Sequence, residues 1–275
     1  MHAALQPFAQ CDVLHRMTTV EQALPRTAVQ LYTLRSVAEP DLFSVVPKLA
    51  SFGYAGIELF GNQLRGLDVA AVARLLDGCG MVASSAHVAL GDSGLDEADL
   101  DDLQLLGVDT TVVAYLPPDA FADLDAVSRA ADRLNRAAQQ VAPRGLTLGY
   151  HNHFWELQSV ITERAALLHL FDMLDPGVES EIDIYWAQVG GVDPVQLVAE
   201  MGDRVGLLHV KDGPANDPAA AMVAVGAGSV DIPAVLRANP AVRWHIVELD
   251  RCATDMYDAV EQSHQYLMEL GLSAR

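Results

Sequence analysis

Eight short runs rich in β-branched and aromatic residues recur along this 275-residue chain, each followed by a longer stretch of helical periodicity. They are VQLYTL (29–34), AGIELF (55–60), VASSAHV (82–88), TTVVAYL (110–116), LTLGYHN (146–152), VESEIDIYW (178–186), VGLLHVK (205–211) and WHIVEL (244–249). Strand and helix in strict alternation imply a parallel sheet, and eight units imply its closure into a single-domain α/β fold, the (β/α)8 TIM barrel. A doubly wound open sheet is the alternative, but the first run lacks GxGxxG and no topological break is visible.

The segments between the runs carry helix boundaries of the right chemistry. Pro40-Asp41 opens a helix that ends at Gly53, Leu67-Asp68 opens one that ends near Gly80, and Asp123 opens a long one that runs to Gly145. Another follows Asp193-Pro194, and the last spans about 254–270. Residues 1–26 read as an N-terminal extension, helical around 18–23 and with Met17 as an alternative start, and residues 27–275 as the barrel. The extension lacks the basic start and compact apolar block of a signal peptide.

Composition narrows the function. With 37 acidic against 17 basic side chains the formal charge is -20, and no lysine or arginine block occurs. A nucleic-acid or anionic-membrane partner would be repelled at long range, and solubility is the plain reading of the acidity. No apolar stretch approaches the roughly 20 residues of a membrane span. Cys11, Cys79 and Cys252 are scattered without CxxC spacing, which fits a reducing, cytoplasmic setting.

Barrel enzymes place their chemistry at the C-terminal ends of the strands. The fifth run ends in His151 and His153, the sixth carries Glu181 and Asp183, the seventh His209 and Lys211, the eighth Glu248 and Asp250. Side chains alternate with period two, so each pair shares a face. One residue from each, namely His151, Asp183, His209 and Glu248, would converge near the barrel axis. Two imidazoles and two carboxylates suit one divalent ion with open coordination positions, Mn, Co, Fe or Zn ahead of Mg. Taken singly, each is equally a satisfied strand-end polar group.

These residues also carry a likeness. VQLYTLR, GYAGIELFG, GYHNHFWEL, EIDIYWAQVGGVDP, LLHVKDG and HIVELD together resemble the xylose-isomerase-like barrels, a family of sugar isomerases and epimerases that also holds inosose dehydratases, lyases of oxidised sugars and the apurinic endonuclease IV group. The resemblance covers residues 28–270 and implies metal ligation by Asp183, His209 and Glu248. Many members place a glutamate on strand five, where this chain has His151. The ketose epimerases use two opposed glutamates as their acid-base pair, so the substitution tilts the expectation towards dehydratase, lyase or isomerase chemistry.

The expected reaction removes a proton next to the carbonyl of a small keto-sugar or cyclitol. Glu248 and His153 are the candidate bases, one from each side, and Lys211 would stabilise oxyanion charge or pair with Asp183 or Asp212. His87 and Glu58 are expected to contact sugar hydroxyls at the mouth or to satisfy backbone groups. Trp186, Phe154, Trp155 and Tyr115 offer stacking surfaces, with core packing the stronger reading for Trp186. Asn152 should face into packing, and Glu156 either orients a histidine or is a solvated loop acid. The GAGS piece of the 213–231 loop is an anion cradle or a turn. Besides it, only Arg35, Arg65 and Arg251 could serve a phosphate, so an unphosphorylated substrate is favoured. Two other readings stand beside this one. A non-catalytic sugar-binding barrel would keep the fold without the chemistry, and an endonuclease would need a multi-metal cluster and a basic face that the single ligand set and the charge do not offer. Pairing through the outer helices into a homodimer or larger oligomer stays open.

Overall fold

Eight parallel strands close on themselves in the computed structural model, which describes residues 23–38, 41–61 and 63–275. They are β1 (Arg26–Gln30), β2 (Gly56–Phe60), β3 (Val82–Val88), β4 (Thr110–Val113), β5 (Thr147–His151), β6 (Glu179–Asp183), β7 (Val205–Val210) and β8 (Trp244–Val247). Val29 of β1 is in register with Ile57 of β2 on one side and with Val247 of β8 on the other. The sheet therefore has no open edge. A short antiparallel hairpin, Val160–Ile161 with Arg164–Ala165, decorates the β5–β6 connection.

Aspartates start most of the helices. Asp41, Asp68, Asp96, Asp123, Asp193, Asp231 and Asp255 each accept a first-turn backbone N–H. A carboxylate there satisfies an otherwise orphaned donor and meets the positive end of the helix dipole. Part of the acid excess is thus structural, beyond the solubility expected from composition.

Several strands are shorter than the β-rich runs suggested. β1 starts at Arg26, one residue inside the expected extension, and stops at Gln30, whose side chain accepts the Tyr32 N–H and turns the chain into a 3-10 helix, Leu31–Leu34. β6 stops at Asp183, because its carboxylate caps the helix Ile184–Val189 by accepting the Trp186 N–H at 2.8 Å. Trp186 therefore sits on a helix, not on a strand. The expected helix over 18–23 falls, save for Ala23, outside the described residues, as do Cys11, Met17 and Pro40.

The barrel interior is layered by the period-two alternation. Ala28, Val112, Leu207 and Ile246 form a small apolar plug, separate from the large core between strands and helices. Gly149 belongs to this crowded lumen, since a Cβ there would lie 3.1 Å from Val112 Cγ2. Two residues further along their strands stand Gln30, His151, His209 and Glu248, all buried. The plug thus forms a floor, and the polar side chains face the C-terminal mouth.

Candidate metal centre

His151, Asp183, His209 and Glu248 come from β5, from the end of β6, from β7 and from just past the end of β8, and one ligand atom of each lies within 4.8 Å of the others. Asp183 Oδ1 is used in capping, while Oδ2 is buried without a hydrogen-bond partner. Lys211 Nζ lies 2.9 Å from that oxygen, close enough for ion pairing but outside hydrogen-bonding geometry. Buried carboxylate oxygens do not stay unpartnered without cost. An oxygen free of hydrogen bonds beside two imidazoles and a second carboxylate, with Lys211 as its one near cation, offers a ligand to a divalent ion.

Lys211 is itself buried among acids. Its ammonium is 2.7 Å from Glu248 and 2.9 Å from Asp250, besides Asp183. Of the two partners the sequence suggested, Asp183 is one and Asp212 is not. Asp212 instead lies inside the glycine loop, accepting the amides of Gly213 and Val230 on one oxygen and those of Gly226 and Gly228 on the other. The GAGS segment does cradle an anion, and the anion is the chain's own carboxylate.

His153 lines the mouth, its ring stacked on Trp155 at 4.3 Å and 10°. Glu156 is fully buried and accepts the His153 backbone N–H at 3.0 Å and the Tyr150 hydroxyl at 2.8 Å. It holds the exit of β5 and is not a solvated loop acid. Asn152 faces away and ties β5 to β6, its Oδ1 accepting the Asp183 N–H at 3.0 Å.

Two of the expected substrate contacts are placed elsewhere. Glu58 is fully buried, hydrogen-bonded by Gln30 at 2.6 Å, by Ser85 at 2.5 Å and by His209 Nε2 at 2.7 Å, so it lies inside the barrel and not at its mouth. Trp186 is 5% exposed and packs beneath His153 and beside Lys211. The mouth is a cleft of about 420 Å³ whose polar lining is His87, His151, His153, Lys211, Glu248 and Asp250. Apolar side chains, Tyr32, Phe60, Leu90 and Tyr115, line it as well, Tyr115 edge-on to His153 at 5.9 Å.

Glu181 is the residue that sequence reading passed over. It was visible as the partner of Asp183, one pleat deeper. Its Oε2 is 2.7 Å from His87 Nε2 and 3.1 Å from both His151 Nδ1 and His209 Nε2. His87, His151, Glu181 and His209 form a second convergent group where one had been expected.

Charge states suit ligation at three of the four positions; at the fourth, burial is outweighed by Glu181, Glu58 and Glu248, which hold the His209 imidazole well above its ordinary range, so a cation there takes the place of a proton. Burial, then His209, pushes the His151 imidazole down to about 3, leaving it neutral. Burial also raises Asp183 to about 6 against the opposing pull of Lys211. Burial works against ionised Glu248 too, yet Lys211 and His209 hold its carboxyl well below the usual range.

A closed eight-strand barrel with its polar side chains gathered at the C-terminal mouth has the architecture of a barrel enzyme's site region. A model of the xylose isomerase-like TIM barrel family matches residues 46–238, and the chain belongs to that family. Among solved structures, a sugar phosphate isomerase/epimerase from Parabacteroides distasonis ATCC 8503 is 22% identical with a TM-score of 0.73, covering 90% of this chain and 95% of that one. A probable 3-DHS dehydratase from Bacillus anthracis aligns at 14% identity and TM-score 0.70 over 88% and 98% of the two chains. A D-allulose 3-epimerase from Methylomonas sp. aligns at 16% and 0.66 over 90% and 95%. At these identities the likeness is one of fold. No curated protein matches the chain. No helix among the described residues is long and apolar enough to cross a membrane.

Proposed function

We propose that the chain is a divalent-metal-dependent enzyme that removes a proton next to the carbonyl of a small keto-sugar or cyclitol, ending in isomerisation, epimerisation or dehydration. The observation that carries this reading is the convergence of His151, Asp183, His209 and Glu248 beside the cleft, with Asp183 Oδ2 buried and facing the group without a hydrogen bond, its one near cation Lys211. The names of the fold neighbours, an isomerase/epimerase, an epimerase and a dehydratase, support the same class of chemistry.

A divalent ion held by these four residues would polarise a substrate carbonyl and its neighbouring hydroxyl. His153 and Glu248 then face the substrate as bases. Burial, followed by His151 and Lys211, holds the His153 ring well below the ordinary histidine range, so it is neutral, and a negative intermediate beside it would restore basicity. Its Nδ1 has no hydrogen-bond partner among the described residues. Lys211 keeps its charge, because Asp183, Asp250 and Glu248 outweigh the penalty of burial, and it offers that charge to a developing oxyanion.

Lys211 is the one cation among the cleft-lining residues, and three carboxylates already surround it. Arg65 and Arg251 do not line the cleft, Arg35 sits behind its wall, stacked over Tyr32 and bonded to the Asp250 carbonyl, and the glycine loop is filled by Asp212. These placements favour an uncharged substrate over a phosphorylated one. The second ligand group removes one of the two arguments against a phosphodiester-cleaving role, but the charge of -20 still opposes a DNA substrate.

Metal content of the purified protein, compared with His151→Ala and Glu248→Ala, tests the reading, together with solvent-deuterium exchange into keto-sugars. Bound Mn, Co, Fe or Zn that both variants lose, with exchange only in the metal-loaded wild type, supports it. A protein that binds no divalent ion after reconstitution overturns it.

A further inference from the structure

The mouth of the barrel divides along its strand order. β5–β8 and the residues just past them supply the four proposed ligands together with His153, Lys211 and Asp250. β1–β4 and the residues just past them give the same cleft Tyr32, Phe60, Val88, Leu90, Ala114 and Tyr115. Among the described residues that line the cleft from this second half, only His87 and the two tyrosines carry a polar side-chain group. His87 Nε2 is taken up by Glu181 at 2.7 Å. The backbone there is engaged too: the Phe60 N–H donates to Gln63 Oε1, the Gly61 N–H donates to the His87 carbonyl, and the Leu90 carbonyl accepts from Arg133.

A substrate whose hydroxyls filled this half would exchange water for side chains that cannot replace it, losing a hydrogen bond for each. An apolar group there loses nothing polar and covers rings that stand open to solvent, with Tyr115 54% and Tyr32 37% exposed. The rings are also held in place. The Arg35 guanidinium lies 4.1 Å over Tyr32 and donates to the carbonyls of Tyr32 and Asp250, and Tyr32 meets Phe60 edge-on at 5.3 Å. Tyr115 meets Trp155 edge-on at 5.5 Å, and the Trp155 Nε1–H is anchored on the Leu116 carbonyl. Aromatic surfaces fixed in advance add contact area at little cost in ordering.

We infer that the substrate carries an aryl ring beside its reactive keto-hydroxy unit, an aryl-substituted keto-sugar or cyclitol rather than a free polyol, with that ring against Tyr32, Phe60 and Tyr115. The inference rests on the proposed function, in which His151, Asp183, His209 and Glu248 mark where the carbonyl sits. Tyr115 lies edge-on to His153 at 5.9 Å, so the two halves adjoin at the proposed base. The cleft, about 420 Å³, has the size of pockets that take ligands larger than one sugar ring.

The test compares 2-hydroxyacetophenone with hydroxyacetone, two ketones that share the carbonyl and its neighbouring hydroxyl and differ in a phenyl against a methyl group. Dissociation constants are measured by calorimetry on the full chain, metal-free and Mn²⁺-loaded, and solvent-deuterium exchange into both ketones on the loaded protein. Burial of one phenyl ring should make the aryl ketone bind about 10- to 100-fold tighter, with or without metal. Tyr32→Ala and Tyr115→Ala, at exposed positions that the core does not depend on, should each cut that ratio severalfold and leave metal content unchanged. Equal binding of the two ketones, or a ratio that both variants leave intact, overturns the inference. Tighter aryl binding that both variants weaken, with exchange into neither ketone, sustains the aryl half and defeats the metal-centred reading instead. Equal binding with exchange into both does the reverse.

Discussion

His209 joins the two ends of the site, with Nδ1 2.7 Å from Glu248 Oε2 and Nε2 2.7 Å from Glu58 Oε1. One ring thus couples a cleft-lining carboxylate to one sealed within the barrel. Glu58→Ala would leave His209, Gln30 and Ser85 without their acceptor. Each buried group so orphaned costs about 1–3 kcal/mol, so a fall in the urea midpoint is expected even in metal-free protein. An unchanged midpoint would mean that water replaces the carboxylate.

Lys211 is 1% exposed among three carboxylates. Removing one member of a buried ion pair costs roughly 3–5 kcal/mol, because the remaining charge stays uncompensated. Lys211→Met should therefore unfold at markedly lower urea concentration. Wild-type stability in that variant would contradict the ion-pair network.

His153→Gln separates chemistry from binding. It lies in the mouth outside the four proposed ligands, so metal content should match wild type, while loss of a general base lowers turnover by about 10²–10⁴-fold. Full deuterium exchange in this variant would remove His153 from the mechanism.

Gly228 packs directly on the Asp212 carboxylate, where a Cβ would fall 2.1 Å from Oδ1 and 2.3 Å from the Gly213 nitrogen. Gly228→Ala must push the loop off its internal anion, and Asp212→Ala leaves four amides without an acceptor. Both should open the 213–231 loop to limited proteolysis at rates well above wild type. Equal resistance would show that the amides do not depend on Asp212.

His245 lies buried on the barrel's N-terminal side, with Nδ1 2.8 Å from Ser273 Oγ, and burial pushes its imidazole down to about 4. The unfolded chain binds a proton on this residue near the ordinary value of about 6.5, whereas the native state refuses it until about 4. Stability is therefore fully present above about 6.5 and falls by up to roughly 1.4 kcal/mol per pH unit down towards 4. Urea midpoints at pH 7, 5.5 and 4.5 should decline less steeply for His245→Gln than for wild type. Parallel declines would place the acid lability in other groups.

Alternation along single strands was enough to put His151, Asp183, His209 and Glu248 on the mouth side of a barrel, because period two and strand-helix repetition are local properties of the chain. The aspartate caps at Asp68, Asp123 and Asp193 were legible for the same reason. The end of β6 was not, since Asp183 both closes the strand and caps the helix that follows. Glu58 and His209 are 151 positions apart, and their 2.7 Å contact exists only because closure brings β2 across the lumen from β7. Glu181 gained its three imidazole neighbours in the same way. Which polar residues face the barrel axis follows from each strand alone; which of them touch, and at what depth, follows from closing the sheet.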